Sequence, residues 1–265
     1  MNIKDYYFDP SSRPLDRLLP DGGFCGIFRT IGCIGDSLSS GEFESMDAAG
    51  NRGYHDYFEY SWGQYIARMT GAKVYNFSRG GMTASEYCNS FAEANGFWDE
   101  KLLCQAYIIA LGVNDVLNQN QPLGTTGDIC PEDHTKNAPT FAGYYGKIIS
   151  RLKSMQPKAR FFLVTMPRGT DEARNRKAAE VTKLLYEIAD LFEWTYVIDL
   201  EKEAPVYDAE FYRNFFLGGH LNPAGYLLTA KMIATYIDYY VRKYPEDFTQ
   251  VGFIGTPFHN AGAKW

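Results

Sequence analysis

The sequence predicts an α/β fold, a flavodoxin-like three-layer α/β/α sandwich around a five-stranded parallel sheet. Two observations predict it. Short runs rich in β-branched and aromatic residues alternate along the chain with helix-patterned segments. The central run, "QAYIIALG" (Gln105–Gly112), is apolar on both faces, as suits a parallel strand covered by helices on both sides.

The elements follow in order. "RTIGCIG" (Arg29–Gly35) is the first strand, and the apolar run stops at "GDSL". "YFEYSWGQYIARMTG" (Tyr57–Gly71) reads as an amphipathic helix stopped by glycine. "AKVYNFS" (Ala72–Ser78) is the second strand, and Thr83–Ala94 is a helix opened by a threonine cap. Gln105–Gly112 is the third strand and Thr140–Gln156 the next helix. "RFFLVTMP" (Arg160–Pro167) is the fourth strand. Thr170–Trp194 is a long helix whose acidic first turn suits the helix dipole. "YVIDL" (Tyr196–Leu200) is the fifth strand. Asn222 caps a last helix to Tyr244, with Pro223 at its first position. The chain reads as one domain over residues 1–265 with its core at about 29–244. The first 28 or so residues and the tail Phe248–Trp265 are expected to wrap around it. Val116–Pro139 is a long loop, and loops of that length in compact domains are often functional.

Composition narrows the function. The 265 residues suit one α/β domain, and 45% hydrophobic with 22% charged residues is ordinary for a folded protein. The net charge is −6 and no Lys/Arg run appears, which argues against a nucleic-acid partner. No basic start precedes an apolar core at the N-terminus, so a cytoplasmic location is expected. No apolar stretch approaches the roughly 20 residues of a membrane helix, so no membrane insertion is expected. The five cysteines are an odd number, read as free thiols. Without a Cys-x-x-Cys pair or a His-Glu-x-x-His helix, neither a metal nor a cofactor is expected. The 20 Tyr and 18 Phe fit sugar-binding clefts, though packing alone accounts for many aromatics.

Ligands of open α/β sheets bind at the carboxyl ends of the strands. Ser37 follows the first strand, Asn76–Gly81 the second and Asn114 the third. Acyl transfer needs a nucleophile, a base and donors aimed at the oxyanion. Ser37 offers a hydroxyl and its own N–H. Asn114 offers an amide. The glycines of "NFSRGGMT" let a backbone N–H approach substrate without a Cβ in the way. Of the four histidines, only His220 sits in a tight turn before a capped helix. "SGEFESMD" (Ser40–Asp47) reads as a pocket wall or a solvated acidic loop; facing the site, Glu42 and Glu44 would disfavour anionic substrates.

In these motifs the chain resembles the SGNH, or GDSL-type, hydrolases. "GDSL" matches their first block with nucleophile Ser37, and "NFSRGGMT" resembles the second with Gly81. "GVND" matches the third with Asn114, and "GGHLNPAGY" resembles the fifth with His220. The resemblance spans Arg29–Arg242 and implies a serine esterase with catalytic Ser37 and His220. The oxyanion hole it implies comprises Ser37, Gly81 and Asn114. There is one departure. The family usually carries Asp three residues before the histidine, and here Leu217 stands there. A main-chain carbonyl near Leu217 is the preferred orienting group, as in a Ser–His dyad. Asp208, Glu210 or Asp199 is the substituted-acid alternative, and a weak or inactive relative the third. The expected substrate is a small-molecule or glycan ester with a short acyl group, such as an acetylated carbohydrate. A lysophospholipase or thioesterase and a carbohydrate-binding scaffold are the alternatives. The sequence does not give an oligomeric state.

Overall fold

The computed structural model describes residues 3–265. Strands follow in chain order as β1 (Thr30–Gly35), β2 (Glu42–Met46), β3 (Arg52–Asp56), β4 (Lys73–Asn76), β5 (Ala106–Ala110), β6 (Arg160–Val164), β7 (Thr195–Ile198), β8 (Phe216–Leu217) and β9 (His220–Leu221). The main sheet has the order β4-β1-β5-β6-β7, and every neighbouring pair is parallel. This is the doubly wound arrangement that the alternation predicts, with its switch point beside β1.

Strand alternation divides the core in two. Ile31 and Cys33 of β1, Ile108 of β5 and Phe162 of β6 point to one face. Ile34, Tyr107 and Ile109, and Phe161 and Leu163, point to the other. Helices α1 (Trp62–Thr70) and α2 (Pro223–Lys243) cover the first face through Trp62, Ile66, Tyr226, Ala230 and Ile233. Phe141–Met155 and Glu172–Leu191 cover the second. Both faces of β5 and β6 are therefore dry, so neither strand shows polar alternation. Cys25 joins the first core from the N-terminal side, and Phe248, Val251 and Ile254 join it from the C-terminal side.

Several local readings change. The helix expected over Tyr57–Gly71 starts at Trp62, where the Ser61 hydroxyl accepts the Gln64 N–H at 3.2 Å; Phe58–Tyr60 is a short 3₁₀ turn. The helix over Thr83–Ala94 contains a π-helical stretch, Tyr87–Phe91. The loop Val116–Pro139 begins inside another, Val113–Asn118, and carries two 3₁₀ turns.

The acidic stretch after Ser37 is the larger change. It is not a solvated loop. Glu42–Met46 pairs antiparallel with Arg52–Asp56, forming a hairpin outside the main sheet. Alternation puts Phe43 on one side, in edge contact with Tyr57 and Tyr60 and tilted against Tyr226. Glu42 and Glu44 therefore share the opposite side.

Candidate active site

The turn that carries Ser37 is built by β1. Asp36 caps the turn Ser37–Ser40, its Oδ1 accepting the Leu38 N–H at 3.1 Å. Ser37 is thereby held at the carboxyl end of the strand, half-buried. Ser39 Oγ would meet a Cβ on Gly35 at 2.4 Å, so only glycine fits where the strand turns. Burial pushes the Asp36 carboxyl up to about 7.

The two neighbouring strands supply donors. The chain after β4 is fastened to β1 by the Ser78 hydroxyl, which donates to the Cys33 carbonyl at 3.0 Å. Three residues on, Gly81 takes φ +71°, a left-handed conformation that favours glycine. Among the described residues no acceptor takes the N–H of Ser37 or of Gly81, which leaves both open to a ligand. After β5, Asn114 has its amide fixed at both ends. Its Oδ1 accepts from Asn118 Nδ2 at 2.9 Å, and its Nδ2 donates one hydrogen to the Met82 carbonyl at 3.1 Å. The second Nδ2 hydrogen is free to point into the cleft. Asp115 ties this turn to the Gly81 loop by accepting the Ala84 N–H at 2.7 Å, and burial pushes its carboxyl up to about 6.

His220 arrives from a different direction. It sits on β9, paired with Leu217 of β8 across the turn Gly218–Gly219. The next helix, α2, is capped by Asn222, whose Oδ1 accepts the Gly225 N–H at 3.0 Å. Tyr226 on its first turn donates its hydroxyl to the Glu42 carbonyl at 2.7 Å, which fixes the histidine turn against the hairpin. Ser37, Gly81, Asn114 and His220 line one cleft of about 580 Å³. Asn118, Asp171 and Arg174 line it too, as do the aromatic rings of Tyr212 and Phe216.

The partners of the imidazole are the surprise. Nε2 lies 2.9 Å from Glu42 Oε1, and Nδ1 lies 3.8 Å from Glu44 Oε2. The edge of the Tyr54 ring also faces the imidazole, with centroids 5.8 Å apart. Burial raises the Glu42 carboxyl above its ordinary range, and His220 opposes that rise.

None of the expected orienting groups reaches His220. Nδ1 is buried without a hydrogen-bond partner, so no carbonyl near Leu217 holds it, and the Leu217 side chain is 53% exposed. Asp199 accepts the Lys202 N–H and the hydroxyls of Thr165 and Tyr186. Asp208 caps the helix Ala209–Phe215, and Glu210 lies exposed on its first turn. Asp199 and Asp208 are thus occupied as helix caps, and Glu210 faces solvent. Glu42 and Glu44, read from sequence as a wall or a loop, contact His220 instead. The usable signal was their spacing: two glutamates two apart around an aromatic, "EFE", then the turn residues "DAAGN" and the run "RGYHD". Of the long loop Val116–Pro139, only Leu117 and Asn118 line the cleft; His55 and His259 are exposed. Among the described residues no His/Cys/Asp/Glu group has a metal-binding arrangement.

The GDSL-like lipase/acylhydrolase family matches residues 33–228. The chain belongs to that family. It is an ester-hydrolysing enzyme. No curated protein matches the chain in sequence. A family two carbohydrate esterase from Clostridium thermocellum, in complex with cellohexaose, is 18% identical with a TM-score of 0.56, over 79% of this chain and 63% of that one. An acetyl xylan esterase from Butyrivibrio proteoclasticus is 19% identical with a TM-score of 0.54, over 82% and 64%. A protein from Lactobacillus plantarum is 15% identical with a TM-score of 0.59, over 80% and 97%. At these identities the likeness is one of fold. This GDSL-family chain spans under two-thirds of the length of the two carbohydrate esterases. Among the described residues no helix is long and apolar enough to cross a membrane.

Proposed function

We propose that the protein is a serine esterase that removes a short acyl group from a carbohydrate ester. Ser37 Oγ attacks the ester carbonyl while His220 Nε2 takes its proton. The N–H groups of Ser37 and Gly81 and the Asn114 amide stabilise the tetrahedral oxyanion. His220 then gives the proton to the leaving alcohol, and water repeats the sequence on the acyl-enzyme. The observation that carries this reading is the convergence of Ser37, Gly81, Asn114 and His220 on one cleft from four separate segments.

The carbohydrate part rests on the cleft walls. Tyr212 and Phe216 offer ring faces of the kind that stack on sugars, and Asn118, Asp171 and Arg174 offer hydrogen bonds to hydroxyls. The fold likeness to carbohydrate esterases agrees with this. A lysophospholipase or thioesterase would want a long apolar groove; the cleft mixes Leu38, Val113, Leu117 and Met166 with Asn118, Asp171 and Arg174, and acyl-length dependence separates the two readings. A decayed binding scaffold rested on the missing acid before His220, and Glu42 and Glu44 weaken that support.

The test is hydrolysis of a chromogenic acetyl ester at neutral pH, followed by an acyl-length series and acetylated sugars. Turnover by the wild type that disappears in Ser37→Ala is expected. A Ser37→Ala enzyme with full activity would end the serine reading. A rate that climbs with acyl length would replace the carbohydrate ester by a lipid.

A further inference from the structure

His220 Nδ1 is a buried polar atom with no hydrogen-bond partner. Such atoms are uncommon in native folds, and at a catalytic base the orphan is the nitrogen that would be held in place. The nearest carboxylate is that of Glu44, with Oε2 at 3.8 Å. We propose that Glu44, delivered by the β2–β3 hairpin, is the acid that positions His220, in place of the aspartate the family carries at the position of Leu217. This rests on the reading of Ser37 and His220 as nucleophile and base.

The Glu44 side chain is 6% exposed and fixed from three sides. Oε2 accepts the Gly219 N–H at 2.7 Å, one residue before the histidine. Oε1 lies 3.3 Å from Arg52 Nε, across the hairpin. Gly218 is in the left-handed region at φ +67°, and a Cβ there would come within 2.6 Å of the Glu44 carboxyl carbon. The turn before His220 is thus shaped around this carboxylate. A carboxylate that anchors the turn and approaches Nδ1 does the work of an acid placed three residues earlier in the chain.

Glu42 is excluded from that role by which nitrogen it touches. It holds Nε2, the nitrogen that must take the Ser37 proton, and it lines the cleft with Ser37. An orienting acid must act from the other side of the ring. The one proton between Nε2 and Glu42 Oε1 stays on Glu42 when Nε2 turns to the serine hydroxyl, and a small rotation of the ring brings Nδ1–H onto Glu44. The proton account then closes. Nε2 gains the Ser37 proton, Nδ1 keeps its own and donates it to Glu44, and Nε2 passes its proton to the leaving alkoxide. Glu44 is never protonated; it stabilises the imidazolium and fixes the tautomer.

The test compares wild type, Glu44→Gln, and Glu44→Gln with Leu217→Asp, using the chromogenic acetyl ester and Ser37→Ala as the inactive reference. In Glu44→Gln, kcat is expected to fall about 100-fold with KM changed less than about threefold, because the loss is confined to the transition state. Leu217→Asp, which returns the acid to the family's position, is expected to recover at least about tenfold of that kcat. A purely structural role would not respond to an acid placed at residue 217. Unchanged kcat in Glu44→Gln beside an inactive Ser37→Ala overturns the proposal and leaves the serine reading standing. A kcat loss that Leu217→Asp does not recover also overturns it. An active Ser37→Ala overturns the underlying reading itself.

Discussion

The serine side and the histidine side of the cleft rest on different supports. Ser37, Gly81 and Asn114 follow β1, β4 and β5, three adjacent strands of one buried parallel sheet. Their positions are set by the core: Ile34, Ile109 and Phe77 behind them are almost wholly buried. His220 rests instead on a two-residue strand pair and on a hairpin that stands outside the sheet. The contrast separates the parts of the site that follow from the fold from the part added to it. A doubly wound sheet brings strand ends together whatever loops it carries. His220 is placed by separate elements and meets a pair of glutamates on one side of β2.

The largest expected effects test whether both sides take part in chemistry at all. Ser37→Ala and His220→Ala should each lower kcat by at least about 10⁴-fold, with Ser37→Ala leaving the melting temperature near that of the wild type and His220→Ala lowering it because Glu42 and Glu44 lose their partner. Ser37 is half-buried, and among the described residues its hydroxyl makes no hydrogen bond that alanine would lose. Steady-state kinetics with a calorimetric melt checks both. A His220→Ala enzyme with most of its activity would mean that the histidine side belongs to the scaffold only. Asn114→Ala comes next, with kcat expected to fall about 10²- to 10³-fold, the usual loss for one oxyanion donor. Asn114 also braces Met82 and Asn118, so a rise in KM without a change in kcat would reassign it to the wall of the cleft.

The same contrast explains what was legible in the sequence. The serine side is local. "GDSL", "NFSRGGMT" and "GVND" each end a strand, so the strand pattern that gives the fold also gives the edge on which Ser37, Gly81 and Asn114 meet. The parallel, doubly covered sheet followed from the same alternation, because continuous apolar runs such as β6 are what a doubly covered strand requires. The partner of His220 was not legible, because its contact with Glu42 and Glu44 joins segments at opposite ends of the domain. Proximity in sequence favoured Asp208, Glu210 and Asp199, yet helix capping and packing already occupy Asp208 and Asp199. The hairpin itself was hidden because its strands are short and polar, with Phe43 their only well-packed aromatic.

Two glycines sharpen the comparison at smaller magnitude. Gly81 and Gly218 both have positive φ, +71° and +67°. A Cβ at Gly81 meets nothing within 4 Å, whereas one at Gly218 runs into the Glu44 carboxylate. Gly81→Ala should therefore carry backbone strain alone, about 1 kcal/mol. Gly218→Ala should carry that strain and also push Glu44 away from the histidine turn. Chemical denaturation is expected to show the greater loss for Gly218→Ala, accompanied by a kcat about tenfold lower. Equal losses of stability would mean that Glu44 moves aside freely and that the histidine side is soft.

The last comparison concerns Asp36, the acid of the turn that carries Ser37, and it bears on stability rather than rate. Glu42 keeps part of its surface in water, but Asp36 is buried, and burial lifts its carboxyl from the ordinary 3.8 to about 7. The folded protein therefore holds one more proton at this position than the unfolded chain between about pH 4 and pH 7. By linkage, the contribution of Asp36 to stability falls as pH rises across that window, and above it the charged form carries the full cost of burial. A shift of that size corresponds to roughly 4 kcal/mol. Asp36→Asn retains an oxygen to accept the Leu38 N–H, so the cap survives while the charge is removed. The variant should be more stable than the wild type by roughly 2–4 kcal/mol at pH 8, with the difference shrinking toward zero near pH 4. Asp115 is lifted to about 6 by its own burial and titrates in the same window, so the wild type alone shows the two together, and the difference between the two proteins isolates Asp36. Urea melts of both proteins from pH 4 to pH 8 measure it. A difference that stays constant with pH would mean that the turn that carries Ser37 is hydrated, and that the contrast between a dry sheet edge and a wetter hairpin does not hold at Ser37.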